Sequence, residues 1–287
     1  MHLGGRLSPA LVTLLVATPG GMGATPALAP RPGASPQAAT AGFSTLESGL
    51  ELGVFAGPGE APGDGKIWIA RIDLARFELK LVNASAGDAR PHTIKQWALG
   101  AGASAAINAA MFREDGLTSV GLMKTRLHEN NPRRVKSYKA LLVFDPFHAA
   151  LPAVRILDAA CGDLDPYPPP YGTLVQSIRL VSCDRKNVWA PEEKRWSSAV
   201  VGVDGAGRVL FIHARSPWPV HDLVDALLAL PIDLRRAMYL EGGKEAQLFV
   251  RGGGREVERL GALEGTSRDD AAIPWEIPNA LVAVRRP

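Results

Sequence analysis

The fold is decided by residues 208–250, which read RVLFIHARSPWPVHDLVDALLALPIDLRRAMYLEGGKEAQLFV. Short apolar runs rich in strand-forming residues occur at 209–212, 237–240 and 247–250. Between the first two runs, apolar residues recur at helical spacing over 220–230, and a proline precedes and another follows this stretch. We therefore predict a strand, a helix, a second strand, a Gly-Gly turn and a third strand.

Charged side chains stand where these predicted strands end. Glu241 follows the second strand and precedes Gly242 and Gly243, which would let a ligand approach the backbone closely. His213 and Arg215 follow the end of the first strand. A carboxylate, an imidazole and a guanidinium at strand ends form a candidate site, although charged residues solvated in a turn would produce the same pattern.

Length and composition indicate a globular protein. The chain has 287 residues, of which 46% are hydrophobic and 21% charged, so it can bury a large core as one large domain or two small ones. Its formal charge is +3, and its basic residues are dispersed without interleaved aromatic residues. This pattern excludes nucleic acid as the expected partner.

The first 29 residues have the features of an export signal. Arg6 supplies a positive charge, residues 10–17 form a short apolar core, and residues 27–29 have the small-x-small form of a cleavage site. The apolar core is much shorter than the ~20 residues that span a bilayer, so no stable membrane span is expected after cleavage. We predict a signal peptide over 1–29, a flexible linker over 30–42 and a secreted or periplasmic protein; the alternative is a disordered tail on a cytoplasmic protein.

Two cysteines, Cys161 and Cys183, flank a proline-rich loop. In an exported protein a disulfide between them is reasonable, and closing a loop of this length would stabilise the fold by roughly 3 kcal/mol. Spacing alone leaves two free thiols as the alternative.

Two polar residues interrupt apolar runs. Asn108 lies within the small-residue run 104–112, where an unpaired amide would cost about 1–3 kcal/mol. It is therefore either a structural hydrogen-bond hub or a ligand contact. Arg179 interrupts the apolar run 174–181, and a buried arginine needs an anion, either a protein carboxylate or a ligand.

Predicted strands greatly outnumber helices. We expect residues 92–100 to form a short helix, residues 66–73 and 76–82 to pair as a hairpin, and residues 196–203 to form a hairpin with the strand that begins at 208. The predicted class is α+β, with a largely antiparallel or mixed β-sheet core and a few packed helices, in a single domain over 43–287.

The order and spacing of several short motifs resemble the phosphodiester glycosidase family over most of the chain after residue 42. Each motif alone has low specificity. The matching segments are Ile107–Phe112, Val120–Leu122, Gln176–Leu180, Ser198–Gly202, His213–Arg215 and Leu240–Gly243.

The chain also departs from the pattern of that family. Glu241 replaces the usual Asp, and His213 replaces the Asp of an Asp-Gly-Arg step. Ser198 stands where the family commonly has Arg, and residues 244–246 replace small residues after the glycine pair. These changes are compatible with a changed substrate, a changed mechanism or a lost activity.

The resemblance implies an exported hydrolase that cleaves a sugar-1-phosphodiester or a related glycosidic linkage. Arg179 and Arg215 would clamp phosphate oxygens, and Glu241 would act as general acid/base or nucleophile. Asn108 would orient a sugar hydroxyl or the phosphate, and His213 would shuttle a proton. The partner would be a carbohydrate or sugar-phosphate substrate.

Three further expectations concern the surroundings of this site. Gly242 and Gly243 would contribute backbone to substrate binding, and Glu245 is a candidate second carboxylate. No cofactor is expected, although carboxylates and carbonyls near the glycine pair could hold a divalent cation. The alternative function is a non-catalytic envelope protein that binds glycan or a partner on the same scaffold.

Overall fold

The structure is a computed structural model that describes residues 42–60, 62–165, 167–262 and 273–287. These residues belong to one compact unit. The predicted signal peptide and, apart from residue 42, the predicted linker lie outside the described residues.

Seventeen strands and two α-helices make up the described chain. The helices are α1 Ile94–Gly100 and α2 Val220–Ala229. The strands are β1 Gly42–Glu47, β2 Leu50–Ala56, β3 Lys66–Ile72, β4 Phe77–Asn83, β5 Ala103–Asn108, β6 Met123–Lys124, β7 Glu129–Asn131, β8 Ala140–Pro146, β9 Val154–Asp158, β10 Tyr171–Ser177, β11 Arg179–Val181, β12 Trp196–Asp204, β13 Val209–Trp218, β14 Leu234–Gly242, β15 Gln247–Gly252, β16 Arg255–Leu260 and β17 Asn279–Arg285.

The strands form three sheets. The largest has seven strands in the order β1-β2-β3-β13-β12-β14-β11. Two five-stranded sheets have the orders β7-β6-β10-β8-β9 and β16-β15-β5-β17-β4. The strand pairs recorded within these sheets are antiparallel, so the predicted single-domain, largely antiparallel fold is confirmed, with fewer helices than strands by a wide margin.

The centre of the large sheet is buried on both faces. On one face, Ile212 of β13 packs in the same apolar cluster as Leu223 of α2. On the other face, Phe211 shares a cluster with Leu142 of β8 and Leu281 of β17, which belong to the two smaller sheets. Alternation along β13 therefore directs successive side chains into two different cores.

Both helices form where the sequence predicts them. The helix α2 begins after Pro219 and turns its apolar stripe to the large sheet. The helix α1 begins at a capping box, in which the Thr93 hydroxyl accepts from the Gln96 N–H and the Gln96 amide oxygen accepts from the Thr93 N–H, at 3.3 and 2.9 Å. Neither helix, nor any other in the described part of the chain, has the length and apolar character needed to cross a membrane.

The predicted hairpin between 66–73 and 76–82 is wrong. The strand β3 pairs with β2 and β13 in the large sheet, whereas β4 pairs with β17 in another sheet. The turn between them is held by hydrogen bonds from the N–H groups of Arg76 and Phe77 to the Asp73 carbonyl, both 3.0 Å long. This turn carries the chain from one sheet to the next and so separates the two strands.

Residues 174–181 form two strands and not the single strand that the apolar run predicts. The run is divided at Ile178, with β10 in one five-stranded sheet and β11 at the edge of the large sheet. The Ile178 carbonyl accepts from the N–H of Tyr239 in β14 at 2.9 Å, and this bond anchors the crossing point. By contrast, the hairpin of β12 and β13 forms as predicted around the turn that follows Asp204.

Candidate active site

Three neighbouring strands place the predicted acid and imidazole in one row. In the register of the large sheet, Ala199 of β12 lies opposite both His213 of β13 and Glu241 of β14, and Trp68 of β3 lies opposite His213. Residues paired in this way point to the same face of a sheet. Since strands lie about 4.8 Å apart, His213 and Glu241 stand roughly 10 Å apart across the strand between them.

Glu241 has the environment of a proton donor. Its side chain is mostly surrounded by protein atoms but keeps some exposure to solvent. Burial and, to a smaller extent, the nearby Glu245 carboxylate raise the pKa of Glu241 to about 7, against the opposing effect of the Gly242 N–H, which donates to Oε1 at 3.1 Å. A substantial fraction of Glu241 therefore carries a proton at neutral pH.

The second carboxylate is that of Glu245, which lies in a one-turn 3₁₀ segment, Gly243–Glu245, directly after β14. Burial raises the pKa of Glu245, whereas its own backbone N–H and the neighbouring Lys244 lower it. The Lys244 ammonium lies 4.0 Å from Glu245 Oε1 and 3.1 Å from the centroid of the Trp275 ring. Because Trp275 is 42% exposed, Glu245, Lys244 and this ring form a group at the surface.

Asn108 supports this turn from below. It ends β5, it is 2% exposed, and its Oδ1 accepts from the Gln247 N–H at 3.1 Å. Its Nδ2 has no hydrogen-bond partner among the residues that the structure describes. The geometry favours the structural hub of the two alternatives.

Gln247 is a supporting residue that the sequence reasoning missed. Its side chain is fully buried and bridges three segments: Oε1 accepts from the Ile94 N–H at 3.3 Å, and Nε2 donates to the carbonyls of Lys244 and Trp275 at 3.3 and 2.7 Å. The available signal was the same as for Asn108, namely an amide beside an apolar strand. Gln247 fixes the 3₁₀ turn and the Trp275 segment relative to each other.

His213 lies in the interior and does not reach solvent. It is 0% exposed, and its Nε2 lies 3.0 Å from the Ala246 carbonyl, so Nε2 carries the proton of a neutral imidazole. Burial lowers its pKa to about 4; the hydrogen bond to Ala246 opposes this shift and Arg259 adds to it. A proton shuttle needs access to the substrate and titration near the working pH, so the predicted shuttle role does not fit this geometry. His213 instead supports the turn that carries Glu245.

The prediction that His213 and Arg215 follow the end of a strand is wrong, because β13 continues to Trp218 and contains both residues, and Arg215 is buried. It is 8% exposed, and its guanidinium donates to the Leu260 carbonyl at 3.2 Å. The Arg215 carbonyl accepts from the Ser197 hydroxyl at 2.5 Å. The guanidinium also lines a cavity of about 450 Å³ beside Trp68.

Arg179 is bound by a carboxylate of the protein itself. Its guanidinium nitrogen NH1 donates to both oxygens of Asp158, at 2.9 and 2.7 Å, and Asp158 is 2% exposed. Arg236 adds a second cation 3.8 Å from the same carboxylate. The geometry favours the structural salt bridge, and we leave Arg179 out of the proposed site.

The two glycines after Glu241 have different physical roles. A Cβ atom on Gly242 would lie 2.2 Å from the Tyr239 hydroxyl and 2.4 Å from a carbon of the Trp196 ring, so the space expected for a ligand is filled by the protein. Gly243 has φ of +64°, a conformation that side chains disfavour, and its nearest neighbour is the Glu245 carboxylate at 3.5 Å. Because 3.5 Å from an added Cβ atom is an ordinary contact, the need for glycine at this position comes from the backbone conformation.

The predicted disulfide between Cys161 and Cys183 is confirmed. These two residues and Asp158 form the one group of three potential metal ligands found in the described ranges, but the sulfurs are joined to each other and do not coordinate as thiolates. The bridge links the end of β9 in one sheet to the segment after β11 in another.

Comparison with known proteins identifies the domain. Residues 101–284 match the phosphodiester glycosidase family. No curated protein sequence matches the chain. Among solved structures, the fold is similar to the zebrafish N-acetylglucosamine-1-phosphodiester alpha-N-acetylglucosaminidase catalytic domain, auto-inhibited by its pro-peptide, with a TM-score of 0.58 at 13% identity over 85% of this chain and 87% of that one. It is also similar to a hypothetical protein from Synechocystis, with a TM-score of 0.51 at 11% identity over 87% of this chain and 64% of that one.

The family match covers more than half of the sequence, and its residues include Asn108, the Glu241 turn and most of all three sheets. The structural similarities, at these low identities, show the fold alone. The chain therefore belongs to the phosphodiester glycosidase family.

Proposed function

We propose that the protein hydrolyses the glycosidic bond of a sugar-1-phosphodiester, or a closely related linkage, in envelope or extracellular glycans. The observation that carries this proposal is Glu241, a partly exposed carboxyl whose pKa of about 7 lets it donate a proton at neutral pH. It stands in a domain of the phosphodiester glycosidase family, with a second carboxylate four residues later.

The two carboxyl groups support complementary roles. Burial raises the pKa of both carboxyl groups, that of Glu241 to about 7, and Lys244 beside Glu245 opposes the shift there, so we assign the acid role to Glu241 and the base role to Glu245. In the proposed reaction, water bonds to the anomeric carbon and passes one proton to Glu245. The bond from that carbon to the phosphate oxygen breaks, and Glu241 gives its proton to the leaving oxygen. The phosphomonoester, whose second pKa is about 6, then releases that proton to water at neutral pH. The products are a free sugar and the phosphomonoester.

The remaining residues contribute to position and recognition. Trp275 offers an exposed ring on which a sugar would pack, and Lys244 beside it would attract the phosphodiester. Asn108 and His213 act as positioning residues, since both bind the segment 246–247 behind the turn.

The proposed location is outside the cytoplasm, in the periplasm or secreted. The disulfide supports this location, because such bonds persist in oxidising compartments and are rare in the cytosol.

The test is hydrolysis of an N-acetylglucosamine 1-phosphodiester of a simple alcohol by the purified chain, followed through release of the sugar. We expect Glu241→Gln to lower kcat/KM by about 10²–10⁴-fold, the usual contribution of a general acid. The matched control is Glu78→Gln, which alters an exposed glutamate of β4 that forms an ion pair with Lys80. Wild-type turnover in Glu241→Gln, with folding confirmed by circular dichroism, would refute the assignment of Glu241.

The alternative is a glycan-binding protein without turnover. The exposed Trp275 ring beside Lys244 favours this alternative, because such a surface binds a sugar without needing an acid. If the wild-type chain binds the phosphodiester in calorimetry but releases no sugar, and Glu241→Gln binds equally well, this alternative replaces the hydrolase.

A further inference from the structure

A loop that the proposed mechanism does not use lies near the end of β14. It connects β7 to β8, comprises residues 132–139 and carries Tyr138. The Tyr138 carbonyl accepts from the side-chain amide of Gln176 at 2.8 Å. Two residues later, the carbonyl of Ile178 accepts from the N–H of Tyr239 in β14 at 2.9 Å. The loop and β14 therefore contact the same short segment, where the chain crosses from β10 to β11.

Gln176 fixes the position of this loop. The residue is 4% exposed, and its Nε2 also donates to the Val135 carbonyl at 3.0 Å. Its Oε1 accepts from the Val135 N–H at 2.9 Å and from the Leu122 N–H at 3.3 Å. Because both polar atoms of a buried amide bind backbone groups, the loop that carries Tyr138 is pre-organised.

The phenol of Tyr138 extends into the surroundings of Glu241. Its hydroxyl lies 3.9 Å from the Met111 sulfur, and Met111 packs against the apolar cluster that contains Tyr239. A Cβ atom on Gly242 would lie 2.2 Å from the Tyr239 hydroxyl, so this cluster adjoins the backbone beside Glu241. Burial and, to a smaller extent, the charge of Glu241 raise the pKa of Tyr138, which agrees with the two side chains being close.

The hydroxyl of Tyr138 is a hydrogen-bond donor that lacks a strong acceptor. The raised pKa keeps it protonated throughout the pH range in which Glu241 titrates. Among the described residues, its hydrogen-bond contact is with a thioether sulfur, which is a weak acceptor. A partly buried tyrosine hydroxyl usually binds a better acceptor, and an oxygen of a bound ligand would provide one.

We propose that Tyr138 binds the substrate in the site of Glu241, with its hydroxyl donating to an acceptor oxygen next to the one that Glu241 protonates. That oxygen belongs either to the phosphoryl group or to a hydroxyl of the sugar, since both adjoin the bond that breaks. This inference rests on the proposed function, because the role of Glu241 defines where the leaving oxygen lies.

The experiment removes the hydroxyl and keeps the ring, in Tyr138→Phe. Calorimetry measures the Kd for an N-acetylglucosamine 1-phosphodiester in proteins that also carry Glu241→Gln, so that binding is observed without turnover. Steady-state hydrolysis by proteins with Glu241 intact gives kcat/KM. We expect Tyr138→Phe to raise Kd about tenfold and to lower kcat/KM by at least as much, the usual effect of losing one hydrogen bond to a ligand.

Binding of N-acetylglucosamine alone to the same proteins identifies the acceptor. An equal loss of affinity for the free sugar in Tyr138→Phe would assign the contact to a sugar hydroxyl. Retained affinity for the free sugar, with weakened binding of the phosphodiester, would assign the contact to a phosphoryl oxygen.

The matched control is Tyr167→Phe. It removes the hydroxyl of a tyrosine that is 43% exposed and whose ring lies 4.4 Å from the guanidinium of Arg134, a residue of the same loop. This variant should bind and hydrolyse as its parent does. Equal losses in the two variants, or an unchanged Kd in Tyr138→Phe, would overturn the proposal. An unchanged Kd with a shifted pH profile of kcat/KM would mean that Tyr138 acts only through Glu241.

This inference and the proposed function fail separately. Hydrolysis by the wild type, with the same Kd in Tyr138→Phe, would retain the hydrolase and remove the contact of Tyr138. Binding that Tyr138→Phe weakens, in a wild type without turnover, would remove the hydrolase and retain the contact. A wild type that neither binds nor hydrolyses the phosphodiester would overturn both.

Discussion

At the scale of a single residue, the protonation state of Glu241 should determine how kcat/KM depends on pH. If its protonated form donates to the leaving oxygen, kcat/KM must fall as the pH rises through the pKa of about 7, because the acid form is lost. Glu245 is one of the groups that raise this pKa. We therefore predict that Glu245→Asn, if any activity survives, shows a basic limb at lower pH than the wild type, measured as the pH dependence of kcat/KM.

The same profile can contradict the assignment. A rate that increases with pH across neutrality would mean that the ionised form of Glu241 acts, as a base or a nucleophile. A basic limb at the same pH in both proteins would mean that Glu245 does not influence the group being titrated.

Arg179 tests the difference between a structural and a binding cation. Removing it leaves the Asp158 carboxylate, 2% exposed, with Arg236 at 3.8 Å as its remaining cation. An uncompensated buried charge costs about 3–5 kcal/mol, so we predict that Arg179→Met loses roughly 3 kcal/mol of unfolding free energy, the lower end of that range, in urea denaturation.

Activity separates the two alternatives for Arg179. Under conditions in which Arg179→Met remains folded, a structural role predicts an unchanged KM. A raised KM with unchanged stability would instead indicate that Arg179 binds the substrate.

At the scale of elements, hydrophobic periodicity predicts well whether a segment forms a strand or a helix. It predicts less well which other strand a given strand pairs with. The apolar stripe of α2 and the alternation in β4 are local properties, and both elements form where the sequence indicates. The hairpin of β3 and β4 fails because strand pairing depends on distant segments: β3 pairs with β13, far along the chain. Short spacing between two strands did not determine their pairing.

The candidate site was predictable to a similar extent. Glu241 stands out in the sequence because a carboxylate follows an apolar strand and precedes two glycines, and the structure leaves it partly exposed. His213 and Asn108 show the same kind of pattern, yet both are buried under residues 246–247. No local feature distinguishes a polar side chain that faces solvent from one that a distant turn covers.

The turn Gly243–Glu245 and the following Ala246 are contacted by the chain segment that follows β16. The Gly261 N–H donates to the Ala246 carbonyl at 2.8 Å, and a Cβ atom on Gly261 would lie 1.9 Å from the Gly243 carbonyl. We predict that Gly261→Ala displaces the turn, costs about 1–3 kcal/mol of stability as overpacking does, and lowers kcat/KM more than stability alone explains.

The control for this change is Gly100→Ala, at the end of α1, where an added Cβ meets nothing within 4 Å. It should change neither the thermal midpoint by more than a few degrees nor the activity. Equal effects of the two substitutions would show that close packing of Gly261 does not position the turn.

At the scale of the whole molecule, the site depends on the arrangement of separate sheets. Glu241 comes from β14 of the large sheet, whereas Asn108 and Gln247, which hold the turn beside it, come from β5 and β15 of a five-stranded sheet. The contacts that join these sheets are therefore expected to matter for activity as well as for stability. An apolar core with residues from all three sheets contributes to these contacts.

The disulfide is a covalent cross-link between two of the sheets, in addition to the backbone that joins them. Cys161 follows β9 and Cys183 follows β11, with a sequence separation of 22 residues. In the chain-entropy model, closing a loop of that length stabilises the folded state by about 3 kcal/mol, so we predict that Cys161→Ser/Cys183→Ser loses approximately that amount in urea denaturation.

Reduction of the wild type should reproduce this loss, because dithiothreitol removes the same constraint without changing the side-chain volume. Arg179 and Asp158 lie next to the bridge, so the loss on adding Arg179→Met to the double serine variant should differ from the sum of the separate losses. A strictly additive result would mean that the salt bridge forms independently of the disulfide. If stability were equal with and without the bridge, the apolar contacts between the sheets alone would determine how the two sheets are held together.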